Sequence, residues 1–301
     1  MSSPSTHHVT RPLDAFAAAV TVMLCLSWGF NQVAVKIAMS DIPPLTQAAI
    51  RSIGAGLLVA GWCVLRRIPL FARDGTLVPG LAAGAVFGVE FILIYQGLVY
   101  TTATRAVLFI YLAPFFVVLG ARIFLPADRF GLYQWLGLIL SFGGMLVAFG
   151  VPTPALDPRQ IVGDLMMVGA ALFWAVTTLI IKASRLNRAS PEKVLLYQLA
   201  VSGPMLAAAA LFAGERIVHA PSAVALGSLA YQTVWVVSIT FVLWFALMVR
   251  YSASRLSVFS FLTPLFGVAA GHLVLGEPLT LAFAGAVALV AVGLVLVNRT
   301  K

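Results

Sequence analysis

Charged side chains are scarce in this sequence of 301 residues: they make up 10% of it, against about 25% in soluble domains. Apolar residues account for 61%, compared with roughly 45–50% in a soluble domain. These proportions exclude a soluble globular protein. Cysteine is also scarce. Cys25 and Cys63 both lie in apolar runs and form no C-x-x-C pair, so the sequence predicts neither a disulfide framework nor a metal site.

Motifs for enzyme chemistry are absent as well. The sequence holds no H-E-x-x-H, no phosphate-binding G-x-x-x-x-G-K-[ST], no dinucleotide fingerprint and no paired carboxylates. We therefore predict that the protein is not an enzyme and uses no cofactor. The formal charge of +9 comes from basic residues that are dispersed singly or in pairs, so no nucleic-acid partner is expected.

Long apolar runs dominate the rest of the chain. A helix needs about 20 residues to cross a hydrocarbon core of about 30 Å. We place ten spans at 15–36, 44–65, 77–100, 102–124, 131–149, 163–184, 191–213, 224–248, 255–275 and 280–297. The runs are too long and unbroken for transmembrane strands. The sequence predicts an all-α membrane protein in a lipid bilayer, with a disordered tail at 1–14 and a short tail at 298–301.

Basic residues give the orientation. Fourteen of the 19 lysines and arginines fall on one side of the predicted spans, four fall on the other, and Arg51 lies within a span. By the positive-inside rule, we expect a multi-pass protein whose two termini are cytoplasmic.

The two halves of the chain repeat each other. Residues 98–114 align without gaps onto 248–264, matching Arg105 to Arg255 and Pro114 to Pro264. Upstream, Trp28 and Lys36 recur with the same spacing as Trp174 and Lys182. We therefore predict one five-helix repeat at 15–149, a linker at 150–162 on the non-cytoplasmic (periplasmic) side, and a second repeat at 163–297.

A repeat of five spans is odd in number, so the second copy enters the membrane from the opposite side. Inverted repeats around a site near the bilayer midplane are typical of secondary transporters. The sequence thus favours a carrier that works by alternating access, built as two inverted five-helix repeats (5+5) around a central cavity.

Two prolines recur near the middle of predicted spans 4 and 9, at Pro114 and Pro264. A proline leaves the carbonyl four residues earlier without its helical partner, which here means the carbonyls of Ile110 and Ser260. Freed carbonyls at this depth are tolerated against protein or a water-filled cavity. A packing kink is the alternative, but the symmetric recurrence favours a hinge or a cavity-lining kink.

Aromatic and uncharged polar side chains lie at hydrocarbon depth in several spans. Each of them alone is better explained by packing or by interhelical hydrogen bonds than by substrate contact, but together they suit a substrate that is part apolar and part zwitterionic. As candidate substrate-binding residues we select Trp28, Asn31, Tyr95, Gln96, Tyr111, Trp174, Thr178 and Trp244. The repeat mates Trp28 and Trp174 are the strongest of these.

Arg51 and Glu90 are the two clearly intramembrane charges, and a buried charge costs about 2.5–3.5 kcal/mol by insertion scales. Helix rise puts both about 10 Å below the same surface. We predict an ion pair between them, with a pair shared with a substrate carboxylate or amine as the alternative; proton coupling through Glu90 is a weaker hypothesis. A stripe of Gly80, Gly84 and Gly88 predicts close helix packing.

Several segments resemble the EamA-type halves of the drug/metabolite transporter superfamily. They are SWGFNQVAVKIA at 27–38, the arginine of LTQAAIRSIGAGLL at 45–58, ATRAVLFIYLAPFF at 103–116, FWAVTTLIIKAS at 173–184, ASRLSVFSFLTPLF at 253–266 and GEPLT at 276–280. Within that superfamily the chain resembles the bacterial aromatic amino acid exporters of the YddG-like type. In the second half, Tyr197 stands at the position of Arg51 and Thr240 at that of Glu90.

The resemblance implies a ten-helix basket whose central cavity is formed mainly by spans 1, 3, 4, 6, 8 and 9. It also implies export of aromatic and other neutral amino acids across the bacterial inner membrane. The alternatives are a carrier for another small metabolite, a nucleotide sugar or a drug-like cation, and, from a different class, a channel or a membrane scaffold. We expect a monomer, with a homodimer as the alternative.

Overall fold

The computed structural model describes residues 13–152, 157–276 and 280–299. Ten helical spans are long and apolar enough to cross a membrane, which confirms the predicted all-α fold. The shortest have 18 residues, or about 27 Å at 1.5 Å per residue, close to the thickness of a hydrocarbon core. Spans 1 to 10 are Ala15–Ala38, Pro44–Leu65, Leu77–Tyr100, Ala103–Phe124, Leu132–Phe149, Pro158–Ala183, Pro191–Phe212, Ala223–Arg250, Ala253–Val274 and Leu281–Asn298.

Five spans precede the connection at 150–157 and five follow it, so the second set enters from the opposite surface. Span 1 begins, and span 10 ends, at the same surface, which we call the terminus side. The other surface is called the far side. The sets interlock, because span 3 packs on spans 6 and 7, span 5 on span 10, and span 1 on span 9.

Two predicted boundaries are wrong. Span 6 begins at Pro158 rather than 163, because the Asp157 side chain accepts the Arg159 N–H and a proline suits the first helical turn. Part of the predicted linker at 150–162 is therefore helix, and its residues 153–156 lie outside the described residues. At the other end of the chain, Leu13 is buried and Asp14 caps span 1 by accepting the Ala17 N–H, so these two residues are not a disordered tail. Residues 1–12, 300 and 301 of the predicted tails lie outside the described residues.

Spans 4 and 9 are each broken near their proline, as the repeat predicts. The helix Ala103–Ile110 is followed by Ala113–Phe124, and the helix Ala253–Phe259 by Leu262–Leu275. Pro264 has no N–H to donate to the Ser260 carbonyl, and this carbonyl instead accepts the Thr263 N–H at 2.9 Å. The preceding carbonyl, of Phe259, accepts the Cys25 thiol of span 1 at 3.4 Å. Both carbonyl oxygens therefore accept hydrogen bonds from protein groups.

Span 8 contains an element that the apolar pattern does not predict. Its α-helical ends, Ala223–Ala230 and Phe241–Arg250, flank a π-helix at Tyr231–Thr240. π-Helical geometry is rare, and the π-turns that occur within α-helices are frequently found at functional sites.

The glycine stripe of span 3 packs against span 7, which confirms its predicted role. A Cβ at Gly84 would lie 2.6 Å from the Tyr197 carbonyl oxygen and 2.8 Å from the Val201 Cβ. Neither neighbour is the flexible end of a side chain. Only a residue without a side chain allows the two helix backbones to approach so closely.

Candidate functional site

A cavity of about 270 Å³ lies between the two repeats. Spans 1, 3, 4, 6, 8 and 9 line it, as the family resemblance implies, and spans 2 and 7 contribute Arg51 and Gln198. The lining comprises Trp28, Asn31, Gln32, Val35, Arg51, Phe87, Glu90, Phe91, Ile94, Tyr95, Leu98, Ile110, Tyr111, Trp174, Thr177, Thr178, Ile181, Gln198, Val236, Phe241, Trp244, Phe245, Met248 and Thr263.

The structure gathers most of the candidate substrate-binding residues around this cavity. Those that line it are Trp28, Asn31, Tyr95, Tyr111, Trp174, Thr178 and Trp244. Gln96 is not in the lining, since it follows Tyr95 directly and successive helical side chains point about 100° apart. Pro114 and Pro264 are not in the lining either, although Tyr111 and Thr263 beside the two helix breaks are.

Two aromatic pairs form part of the cavity wall, and each pair joins a residue of the first repeat to one of the second. Trp28 meets Trp244 with ring centroids 5.2 Å apart and an interplanar angle of 73°. Its repeat mate Trp174 meets Tyr111 at 6.0 Å and 72°. Both are edge-to-face arrangements, which add about 0.5–1.5 kcal/mol to the burial of the rings. The two tryptophans are repeat mates, but their partners are not, since Trp244 lies in span 8 and Tyr111 in span 4.

The indole of Trp28 has a protein partner. Its Nε1–H donates to Thr240 Oγ1 at 2.8 Å, and that hydroxyl donates to the Val236 carbonyl at 2.5 Å. These two residues belong to the π-helix of span 8, so the unusual helix holds one wall of the cavity. Of these three residues, only Trp28 was identifiable from the sequence as a candidate for the site.

Arg51 and Glu90 both line the cavity and are both buried, but the predicted ion pair between them is wrong. Among the described residues, ion pairs join Arg105 to Asp164 and Lys193 to Asp74. The Arg51 guanidinium instead lies over the Phe91 ring, 5.0 Å from its centroid, which is cation–π geometry. The two opposite charges therefore face the same cavity without contacting each other.

The cavity is closed on the terminus side. There, the lining residue Met248 is 1% exposed, whereas Leu98 near the far side is 40% exposed. Below the cavity, the buried ammonium of Lys182 donates to the carbonyls of Met248 at 2.6 Å and Tyr251 at 3.1 Å. The Tyr251 hydroxyl donates to Asp14 at 2.7 Å. These bonds join span 6, the end of span 8, the connection between spans 8 and 9, and the start of span 1.

A buried carboxyl group makes further hydrogen bonds on the same side. Asp128, between spans 4 and 5, accepts from the Ser252 hydroxyl and, at 3.1 Å, from the Ser254 N–H. Burial raises the pKa of Asp128, while these hydrogen bonds and the charge of Lys182 act to lower it. On the far side the repeat mate of Lys182, Lys36, is exposed. The two repeat-related lysines are therefore in different environments, because Lys182 is buried on the terminus side and Lys36 is exposed on the far side.

Sequence reasoning missed several lining residues. Gln198 and Thr263 are buried, and the Gln198 side-chain oxygen has no hydrogen-bond partner among the described residues. Gln198 lies in an apolar span and Thr263 precedes Pro264, which are signals that could have identified them. Phe87, Phe91 and Phe241 carry no such signal, because phenylalanine is common throughout the chain. Among the described residues, no group of three or more His, Cys, Asp or Glu side chains could hold a metal ion.

Comparison with known proteins gives a family. The model of the EamA-like transporter family matches residues 15–150 and 161–299. "Uncharacterized transporter YvbV" of Bacillus subtilis is 26% identical over 93% of this chain and 91% of its own length. "Uncharacterized transporter sll0355" of Synechocystis is 30% identical over 91% and 87%. "Probable amino-acid metabolite efflux pump" of Salmonella typhimurium is 25% identical over 92% of both chains.

A solved crystal structure shares the fold. It superimposes with a TM-score of 0.79 over 94% of this chain and 96% of its own, at 20% sequence identity. The ten spans, the cavity between two five-span sets and the two family matches agree with one another. The chain belongs to the EamA-like transporter family, and it is a multi-pass membrane protein.

Proposed function

We propose that this transporter is a secondary carrier that exports aromatic and other neutral amino acids across the bacterial inner membrane by alternating access. The observation that carries the proposal is the cavity between inverted repeats, closed at one surface and lined by residues exposed toward the other. A carrier needs such a site near the midplane, whereas a channel needs a continuous path.

The chemistry of the cavity supports an amphipathic substrate. Nine of its 24 lining residues are aromatic and eight are polar or charged, including Arg51 and Glu90, and a mainly apolar wall with placed polar groups is typical of small-molecule sites. A volume of about 270 Å³ suits a molecule of amino-acid size better than a nucleotide sugar. Two relatives bear the name of a probable amino-acid metabolite efflux pump.

The distribution of charge supports the orientation. Arg66, Arg67, Arg122, Arg185 and Arg188 lie at or near the ends of spans on the terminus side. By the positive-inside rule, this distribution supports an orientation with both termini in the cytoplasm. In this orientation the cavity faces outward, as a carrier does when it releases an exported substrate.

Counterflow in proteoliposomes tests the proposal. Vesicles that contain the purified protein are loaded with unlabelled phenylalanine, and the uptake of a radiolabelled trace is followed. We expect transient accumulation of the label that saturates with concentration, and competition by other neutral amino acids. A panel of nucleotide sugars and organic cations provides the controls. If no amino acid competes, the substrate class is wrong; unsaturable flux without counterflow would indicate a channel.

A further inference from the structure

Four buried polar atoms on cavity-lining residues have no hydrogen-bond partner among the described residues. They are Asn31 Oδ1, Arg51 Nε, Thr177 Oγ1 and Gln198 Oε1. The large majority of buried polar side-chain atoms in proteins have a partner, so four exceptions around one cavity need an explanation. They come from spans 1, 2, 6 and 7, so no single packing fault accounts for them. Their common feature is that their residues line the same space.

Two of the groups around this space carry opposite charges. Arg51 is 4% exposed and Glu90 is 6% exposed, and no contact neutralises either one within the part of the chain that the structure describes. The face of Phe91 fixes the Arg51 guanidinium and leaves its N–H edge for a planar acceptor. An uncompensated charge at this depth is costly, so a ligand that supplies both counter-charges is stabilised here.

The charges lie on one repeat only. Repeat symmetry replaces Arg51 by Tyr197 and Glu90 by Thr240. Thr240 is engaged with Trp28 and with the Val236 carbonyl, and the Tyr197 hydroxyl lies 3.1 Å from Thr76 Oγ1. The second repeat therefore uses these positions for structural bonds. The first repeat keeps a cation and an anion facing the cavity.

We propose that Arg51 and Glu90 together form a zwitterion site, in which Arg51 binds the α-carboxylate and Glu90 binds the α-ammonium of an amino acid. A zwitterion supplies both counter-charges at once, whereas an amine or a carboxylic acid alone leaves one buried charge unpaired. Gln198 and Asn31 offer further hydrogen bonds, and the aromatic walls take the apolar side chain. This proposal rests on the proposed function and adds the groups that select the substrate.

Competition in the counterflow assay tests the pair with ligands that differ only in charge. The competitors are phenylalanine, phenethylamine, which lacks the carboxylate, and 3-phenylpropionate, which lacks the ammonium. For the wild-type protein we expect each analogue to compete about 10- to 100-fold less well than phenylalanine, since each loses a hydrogen-bonded charge contact. Arg51→Gln should weaken competition by phenylalanine by a similar factor, so that phenylalanine and phenethylamine compete about equally. Glu90→Gln should remove the discrimination against 3-phenylpropionate.

The crossed pattern separates substrate binding from a structural role, because a general loss of folding weakens all three ligands alike. Arg159→Gln is the matched control: it also removes one arginine, at an exposed position on the far side, and should leave the pattern unchanged. If Arg51→Gln does not fold, Arg51→Lys and the analogue panel on the wild-type protein still decide the question.

Two failures are distinguishable. If the wild-type protein shows no counterflow with any amino acid, the proposed function is wrong. If counterflow is normal but both analogues compete as well as phenylalanine, or neither variant changes the ranking, the zwitterion site is wrong and the proposed function stands.

Discussion

Replacing Lys182 by methionine should open the cavity toward the terminus side. Methionine keeps a similar length and an unbranched shape but loses the two hydrogen bonds, at 2.6 and 3.1 Å, that join span 6 to the Met248 and Tyr251 carbonyls. Hydrogen bonds from a charged donor are worth about 1.5–3 kcal/mol. If the closed state loses the free energy of one such hydrogen bond, the ratio of closed to open protein falls by about 10- to 100-fold.

The assay is the reactivity of a cysteine at Thr178, a buried lining residue one turn from Lys182. A membrane-impermeant maleimide is added from the terminus side. The two native cysteines are buried and serve as a background measured without the reporter. We expect Lys182→Met to raise the labelling rate in proportion to the open population.

The repeat supplies the matched control. Lys36 is the mate of Lys182 at the far side, and there it is exposed. Lys36→Met should leave labelling from the terminus side unchanged or lower it, because it cannot loosen the closure there. The reasoning is refuted if Lys182→Met labels no faster than the parent, or if both lysine variants raise labelling equally.

Other positions give further tests. Gly84→Ala, whose new Cβ would lie 2.6 Å from a backbone carbonyl, should lower stability by about 1–3 kcal/mol and reduce the Tm of the purified protein. Gly143→Ala is its control, with no atom within 4 Å of the added carbon, and should leave Tm unchanged. Trp28→Phe removes the 2.8 Å bond to Thr240 and should cost about 0.6–1.7 kcal/mol in the same measurement. Burial raises the pKa of Asp128 above 3.8, so closure of the terminus side should be favoured at low pH and weakened as pH rises through the raised pKa, and Asp128→Asn should remove this dependence of spin-label distances across that side.

The parts of the fold that follow from hydrophobic run length and repetition are predictable from this sequence. Ten spans, the inverted repeat and the helix breaks near Pro114 and Pro264 depend on length, parity and proline chemistry. The close packing at Gly84 follows from the spacing of small residues. Each of these features is set by residues that are close together in the sequence, or by the repetition of such residues in the second half.

The features that the sequence does not reveal depend on how each helix is rotated about its axis and on the distances between side chains of different helices. Gln96 and Tyr95 are equally plausible in sequence, but helix rotation brings only Tyr95 to the cavity. Equal depth suggested an ion pair between Arg51 and Glu90, yet depth does not fix the direction of a side chain. The π-helix of span 8 has no apolar period that distinguishes it from an α-helix.

Paired distance measurements on one sample test alternating access most directly. Spin labels at Arg129 and Arg188 report on the terminus side, and labels at Ser40 and Arg159 report on the far side; each pair spans the two five-span sets, and all four positions are exposed. On addition of phenylalanine to the protein in lipid, the account predicts a new population with a longer terminus-side distance and a shorter far-side distance. If both distances lengthen together, or neither changes while phenylalanine is transported, the repeats do not exchange access in this way.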